Sequence, residues 1–354
     1  MDSMVRSNGR TGGTGGTHGA GRTGANGRTR ARRTALVAAA LAVTGPLALG
    51  AVGTAGAAAG PGTAAVPAAV RAAAGSGAPR PAADRPIVFA RYSAAASIED
   101  LYAIAPTGGA PVKLTHTPTV SDVMPSWSPD GKRVAFLRYG AGGAIDGIWT
   151  MKSAGGDLKP VPGTEGASDP AWSPDGKRIA YSRPAGSQRE IYVADVDGTP
   201  ATRLTHTAAD EFHPTWSPDG GSLAYSRADA SGNSRLMRIQ LSTLVQTPVT
   251  LAGSHDWTPD WSRGNRIVFS RVDSSGFAHL YVVRPDGAGT HRITSARAHD
   301  KNPSWAPDGR RLVFTRGGTD DADPEHLFLV RADGSGLTQL TKADTHDLQA
   351  DWRP

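Results

Sequence analysis

The chain has no cysteine. That absence removes a disulfide framework, thiolate metal sites, a cysteine nucleophile and a lipid-modified N-terminal cysteine together. The motifs that carry chemistry at fixed spacing are missing too: no G-x-S-x-G elbow, no H-E-x-x-H and no phosphate-binding loop occur in the 354 residues. Nor is there a spread of basic charge. The formal net charge is +6, but residues 1–33 hold Arg6, Arg10, Arg22, Arg28, Arg30, Arg32 and Arg33 against Asp2 alone. Everything after them sums to zero, which leaves no basic surface for nucleic acid.

The basic head runs into an uncharged, alanine-rich stretch at 34–59 (TALVAAALAVTGPLALGAVGTAGAAA), the order of charge and apolarity in an export signal. A small-x-small cleavage site at Ala55-Gly56-Ala57 divides an export signal over 1–57 from a mature chain beginning near Ala58. A membrane anchor is the alternative. Gly45-Pro46 interrupts it, and its apolar part is alanine and glycine rather than leucine, so the expectation is removal, with membrane contact only through export. Arg32-Arg33 before the run admits a twin-arginine route beside the general one, although Thr34-Ala35-Leu36 matches that route poorly, and Met4 or a later start is an alternative initiator. The alanine, proline and glycine of 58–85 read as a linker. The expected location is extracellular or in the cell envelope.

What the sequence does contain is a repeat. Pro125-Ser126-Trp127-Ser128-Pro129-Asp130-Gly131 returns at Trp172, Trp216, Trp261 and Trp305, and in worn form at Trp352, with gaps of 45, 44, 45, 44 and 47 residues. Each period suits a four-stranded propeller blade. After the Ser-Pro-Asp-Gly turn comes an alternating run that ends in arginine, at 87–91, 134–138, 179–183, 223–227, 267–271 and 312–316. An apolar-aromatic phrase follows, such as Ile191-Tyr192-Val193, running into a glycine turn such as Asp286-Gly287, and then Leu-Thr or its equivalent. The repeat opens on an arginine-ended strand and closes on a Trp phrase. The predicted fold is therefore all-β, a six-bladed β-propeller of four-stranded blades over 86–354, closed by the C-terminal strand pairing with the N-terminal blade, and monomeric.

The phrase L-T-x(5)-D-x-x-P-x-W-S-P-D-G-x-x-I-A-F resembles the WD40-like repeat of the TolB propeller family over nearly all of 86–354. The family's namesake resembles a periplasmic protein with an additional α/β domain ahead of its propeller, where this chain has only the linker. In the resembled family the Trp phrase is the innermost strand. That implies a channel-entrance position for the residues five before each tryptophan: Asp122, Ala167, Glu211, Asp256, Asp300 and Asp347. The resemblance is specific for fold and weak for function, since one fold hosts many activities.

Features common to every blade read as structural. The repeated arginines are expected to pair with carboxylates or turn carbonyls, and the tryptophans to pack the blades. Where the repeat breaks, binding is expected. His255-Asp256-Trp257, His299-Asp300 and His346-Asp347 set a histidine beside the rim carboxylate in three consecutive blades, and Glu211-Phe212-His213 adds an aromatic and an imidazole in the blade before. With Asp122 these form a candidate contact surface on which aromatics pack and carboxylates meet cationic groups. The bland reading, in which each carboxylate serves its own turn or arginine, stands beside it. His255, His299 and His346 are conceivable metal ligands, but no metal or cofactor is called for. Asp320, Asp321, Asp323 and Glu325 lack the order of a calcium loop and read as a solvated acidic loop.

The reading that follows is an exported, non-catalytic module that engages a protein or peptide at the channel mouth. One alternative is a polysaccharide-acting lyase or hydrolase using channel histidines and a metal. Similar propellers do accompany serine peptidases and resemble metal-dependent lyases, although the chain leaves no room for an appended hydrolase domain. A purely structural spacer propeller is the third possibility.

Overall fold

The computed structural model describes residues 86–354 other than 141, 198–199, 320–322 and 343. The expected export signal and linker lie outside the described residues, as do Gly198, Asp320 and Asp321.

Every element among the described residues is a strand. The chain opens with β1 (Ile87–Ser93), β2 (Ile98–Ile104) and β3 (Val112–Lys113), then runs through β4 (Ser121–Trp127), β5 (Arg133–Tyr139), β6 (Ile145–Lys152) and β7 (Lys159–Pro160). It continues as β8 (Ser168–Trp172), β9 (Arg178–Ala185), β10 (Gln188–Asp195), β11 (Thr202–Arg203), β12 (Asp210–Trp216), β13 (Ser222–Ala228), β14 (Ser234–Gln240) and β15 (Gln246–Pro248). The last elements are β16 (His255–Trp261), β17 (Ile267–Val272), β18 (Ala278–Val283), β19 (His291–Arg292), β20 (His299–Trp305), β21 (Arg311–Gly317), β22 (His326–Arg331), β23 (Thr338–Gln339) and β24 (His346–Trp352). With no helix among the described residues, none is long and apolar enough to cross a membrane.

Strands pair with their chain neighbours as antiparallel meanders, because connections of two to eight residues within a sheet leave no room for a crossover. β4 to β7, β8 to β11 and β20 to β23 are four-stranded sheets, and β24 lies beside β1, β2 and β3 in another. β12 to β15 and β16 to β19 repeat the pattern and join through a single parallel pairing of Ser234 with His255. β24 runs antiparallel to β1, with Trp352 opposite Ile87 and Asp347 opposite Arg91. The chain is an all-β propeller.

The core lies between sheets rather than inside one. Ala135 and Ile148 of one sheet pack against Trp172, Ile179 and Tyr181 of the next, and Ile87, Phe89 and Ile104 near the start pack against Val313 and Leu327 near the end. A sheet buried on both faces reads as a nearly continuous apolar run, which is why 87–90 and 134–137 carry no exposed residue.

The outer strands are only two or three residues long, and the repeated Leu-Thr follows them instead of lying within them. There the threonine substitutes for the missing strand: its hydroxyl accepts the backbone N–H of Leu101, Ile148, Ile191, Leu236, Leu280 or Leu327 at 2.9–3.0 Å. Thr164 does so in the one repeat where two residues separate the threonine from the apolar residue, Val161. Stopping the edge this early leaves little unpaired backbone to template aggregation.

Deleting residues 346–354 would remove β24 and bare both β1 and one face of the Ile87 and Phe89 cluster. The shortened chain is expected to lose its cooperative thermal transition. Calorimetry checks this, and an unchanged midpoint would show that the pairing contributes little.

Candidate functional site

The rim carboxylates come first. Asp122, Glu211, Asp256, Asp300 and Asp347 are all fully buried. Each stands directly across the strand pair from its arginine, and the arginine closes on it: Arg138 on Asp122 (2.7 and 2.9 Å), Arg227 on Glu211 (2.8 Å), Arg271 on Asp256 (2.6 and 2.9 Å), Arg316 on Asp300 (2.6 and 2.8 Å) and Arg91 on Asp347 (2.6 and 2.9 Å). The guanidinium also lies over aromatic rings of its own sheet, Trp149 at 4.4 Å for Arg138 and Phe328 at 4.9 Å for Arg316. The expected open negative rim is therefore absent. The four aspartates are held through both oxygens and Glu211 through Oε1 alone, so each charge is spent on its own arginine rather than offered to a cation. Burial pushes the carboxyls of Asp122 and Glu211 up, with the hydrogen bond from Arg138 in one case and from Thr205 in the other pulling back.

The three rim histidines are not brought together. His299 lies 5.2 Å from the Phe277 ring, His346 is buried edge-on to Tyr92, and His255 is half-buried on β16. Among the described residues no three His, Asp or Glu side chains are grouped so as to hold a metal ion. Trp257 is half-buried and rests against buried Phe212, centroids 6.3 Å apart. Glu325, expected on a solvated acidic loop, is instead buried, 3.6 Å from the Lys301 ammonium.

A second layer lies one step further along the inner strands. In each, the register slips so that two residues face one on the neighbouring strand, as between Val123 and Ser126, Phe212 and Thr215, or Leu348 and Asp351. This is a β-bulge. Its first residue is Met124, Asp169, His213, Thr258, Asn302 or Gln349, every one with φ between 50° and 58°. The second is Pro125, Pro170, Pro214, Pro259 or Pro303, and Ala350 in β24; proline is tolerated because a bulge leaves an N–H unpaired. None of the six first positions is glycine, and left-handed backbone costs an ordinary residue about 1–3 kcal/mol. A β-branched residue such as Thr258 is the least suited of all.

These six residues ring one end of a cavity of about 340 Å³, walled by the inner strands and reaching Pro129, Pro174, Pro218, Arg263, Pro307 and Pro354 at the other end. Of the candidates read from the sequence, only His213 lines it. The variable slot before the repeated proline carries no constant residue to mark it. The constant proline was the available signal, since it marks a bulge inside a strand.

One sector breaks the pattern. Where other inner strands carry the paired carboxylate, β8 has buried Ala167 just ahead of it, so Arg183 turns out to the Gly163 carbonyl (2.7 Å) and lies over Tyr192 at 4.3 Å. The carboxylate reappears two residues later as Asp169, on the cavity wall. It accepts hydrogen bonds from Ser182 (2.6 Å) and Ser168 (3.0 Å), and its other oxygen faces His213 Nε2 at 3.6 Å. Burial alone would raise this carboxyl, but His213, Arg189 and the two hydroxyls hold it below the usual range. His213 Nδ1 has no partner.

The residue before each tryptophan ties the inner strands together. Ser126 accepts Trp172 N–H (3.4 Å), Thr215 accepts Trp261 N–H (3.2 Å), Asp260 accepts Trp305 N–H (2.7 Å), Ser304 accepts Trp352 N–H (3.1 Å), and Asp351 accepts Trp127 N–H (2.7 Å). Ala171 has no side chain to do this, and its carbonyl takes the Trp216 indole N–H at 3.0 Å instead. Burial pushes Asp260 up to about 6, against the hydrogen bonds from Trp305 and Trp261. Asp351 rises to about 7 through burial and the nearby Asp260 carboxyl.

The sequence of residues 82–354 matches the family model described as the TolB beta propeller domain. The chain belongs to the TolB β-propeller family. Its fold is similar to the crystal structure of TolB from Acinetobacter baumannii (19% identity, TM-score 0.66), with 76% of this chain matched to 66% of that one. A putative TolB from Agrobacterium tumefaciens is similar too (21% identity, TM-score 0.59, 76% of this chain and 99% of that), as is a chain of the Nidogen/Laminin complex (12% identity, TM-score 0.59, 75% and 97%). No curated protein matches the sequence. At these identities the likeness of this TolB-family propeller to solved structures is one of fold.

Asp256→Ala strands Arg271 and is expected to cost about 3 kcal/mol, the low end for breaking a buried ion pair because the arginine keeps partial contact with solvent; chemical denaturation reads it. Asp351 and Asp260, raised in the folded state, contribute stability that is complete below the unfolded-state value near 4 and is lost as pH rises through 6 to 7. Asp351→Asn mimics the protonated acid, so its stability relative to the parent should improve between pH 5 and pH 8, by a few kcal/mol at most. Parallel pH profiles would show that Asp351 does not titrate there.

Proposed function

We propose that this chain is an exported, non-catalytic binding module, six four-stranded blades closed into a ring by β24, that engages a protein or peptide at a mouth of its channel. The observation carrying this reading is the bulge ring. One strained backbone conformation recurs with six different side chains, a thioether, a carboxylate, an imidazole, a hydroxyl and two amides. A position whose backbone is fixed and whose chemistry varies is suited to recognition rather than to support.

The contact surface on this reading runs from half-buried Trp257 to His213, with His255 beside them. Phe212 backs the tryptophan, and Asp122, Glu211, Asp256, Asp300 and Asp347 act from behind, holding the strands through their arginines. Tryptophan on a rim supplies apolar area with one polar atom, and an imidazole with a free nitrogen supplies a donor or acceptor. Export is supported by the basic head and alanine-rich run of residues 1–57, and an extracellular or cell-envelope location follows from it. Lyase or hydrolase chemistry would need the rim histidines to share a ligand, and they stand on separate strands with separate neighbours.

The test is affinity capture from culture supernatant and envelope fractions with the parent and the variant carrying Trp257→Ala and His213→Ala. The expected result is a protein retained by the parent and lost by the variant, with the unfolding midpoint changed by about 2 °C or less. Equal retention by both, or no protein above the level of an unrelated propeller, would overturn the reading.

A further inference from the structure

The far end of the cavity is framed by the residues two after each tryptophan. Pro129, Pro174, Pro218, Pro307 and Pro354 take this place in five inner strands, and Arg263 takes it in the sixth. The substitution comes with a shorter turn. Ser262-Arg263-Gly264-Asn265-Arg266 replaces Ser-Pro-Asp-Gly-Lys-Arg, and Asn265 at φ 56° closes it while its side-chain oxygen accepts the Trp261 indole N–H at 3.0 Å. The missing aspartate matters electrically. Asp130, Asp175, Asp219 and Asp308 each sit in the corresponding turn of another repeat and are tied to it by hydrogen bonds, but this turn has none.

Arg263 is exposed, and among the described residues no hydrogen bond, ion pair or ring contact engages it. Other arginines of these turns are committed elsewhere. Arg266 bonds the Gly309 carbonyl and covers Trp305, Arg178 covers Trp216, Arg311 covers Trp352, and Arg353 covers Trp127. The opening thus has a collar of proline rings and tryptophan edges with one uncommitted guanidinium on it. The carboxyls deeper in the wall, Asp260 and Asp351, resist ionisation, so they oppose an entering anion less than ordinary carboxylates would.

We propose that this second mouth, on the turn side of the tryptophans, captures the carboxylate of an extended peptide, with Arg263 as its bidentate partner and the proline collar packing the residues that follow. A cavity of about 340 Å³ walled by every inner strand admits a chain end or an extended segment and excludes a folded surface. Guanidinium geometry matches a planar carboxylate with two parallel hydrogen bonds, and a preformed proline collar loses little entropy on packing. A free C-terminal carboxylate and an Asp or Glu side chain share this chemistry. The site is separate from the Trp257 and His213 surface, so it can stand or fall independently of that reading.

The probes are N-acetyl-Ala-Pro-Ala with a free carboxylate, the same peptide amidated, and amidated N-acetyl-Glu-Pro-Ala, each titrated into the full chain by calorimetry and by intrinsic tryptophan fluorescence. The free acid is expected to bind at least tenfold more tightly than its amide. Arg263→Gln should erase that difference without moving the unfolding midpoint, and raised salt should narrow it. Tight binding of the glutamyl amide as well assigns the pocket to side-chain carboxylates, and its failure beside a tight free acid assigns it to chain termini. Either upholds the proposal. Equal affinities for acid and amide, an unaltered preference in Arg263→Gln, or no binding of any probe at millimolar concentration would overturn it.

Discussion

A strand that is one residue longer than the partner beside it cannot lie flat against it. In this propeller every inner strand carries that surplus residue, and much else depends on where it goes. The bulge absorbs it by turning one residue into left-handed backbone and the next into a position whose N–H has no ladder partner. Proline can occupy the second place for that reason. The first place is pushed toward the channel and freed from the pleat, so the fold accepts Met124, Asp169, His213, Thr258, Asn302 or Gln349 there with equal geometry. What the fold demands is a conformation, and the residue that adopts it is left to another purpose.

Around the bulge, the fold is held by pairings that look like a binding site when read as sequence. The Asp or Glu five residues before five of the six tryptophans and the arginine that ends the next strand are direct cross-strand neighbours, and burial makes their mutual attraction worth keeping because the geometry is close, bidentate at the four aspartates, and the guanidinium is shielded by aromatic rings. Removing one partner leaves the other charged and dry. Such pairs specify register: a one-residue slip would send the carboxylate to the opposite face and strand the arginine.

This explains what could and could not be read from the chain alone. Repeat spacing, the arginine-ended strands and the pairing of Trp352 with Ile87 were legible, because period and composition report strand count and alternation. The bland alternative for the carboxylates was legible as well. Choosing it required knowing which face of the strand meets the arginine, and alternation is blind to that once both faces are buried. His213 was found because it departs from its neighbours. Met124, Asn302 and Gln349 were not, since a slot with no constant residue leaves no mark in a search for constancy. Arg263 was equally hidden, although Trp-Ser-Arg-Gly-Asn against Trp-Ser-Pro-Asp-Gly is a visible departure once the turn is known to border the channel.

Ala171 has one more implication. At every other junction a side chain on one inner strand grips the backbone of the following tryptophan, whereas between β8 and β12 the only equivalent is an indole held by a carbonyl. That junction is also where Asp169 and His213 face each other at 3.6 Å, too far for a firm bond. The girdle around the axis therefore has a seam. There the two sheets are joined instead by Arg178 over Trp216 and by Arg189 N–H to Asp210, with Asp169 and His213 on either lip.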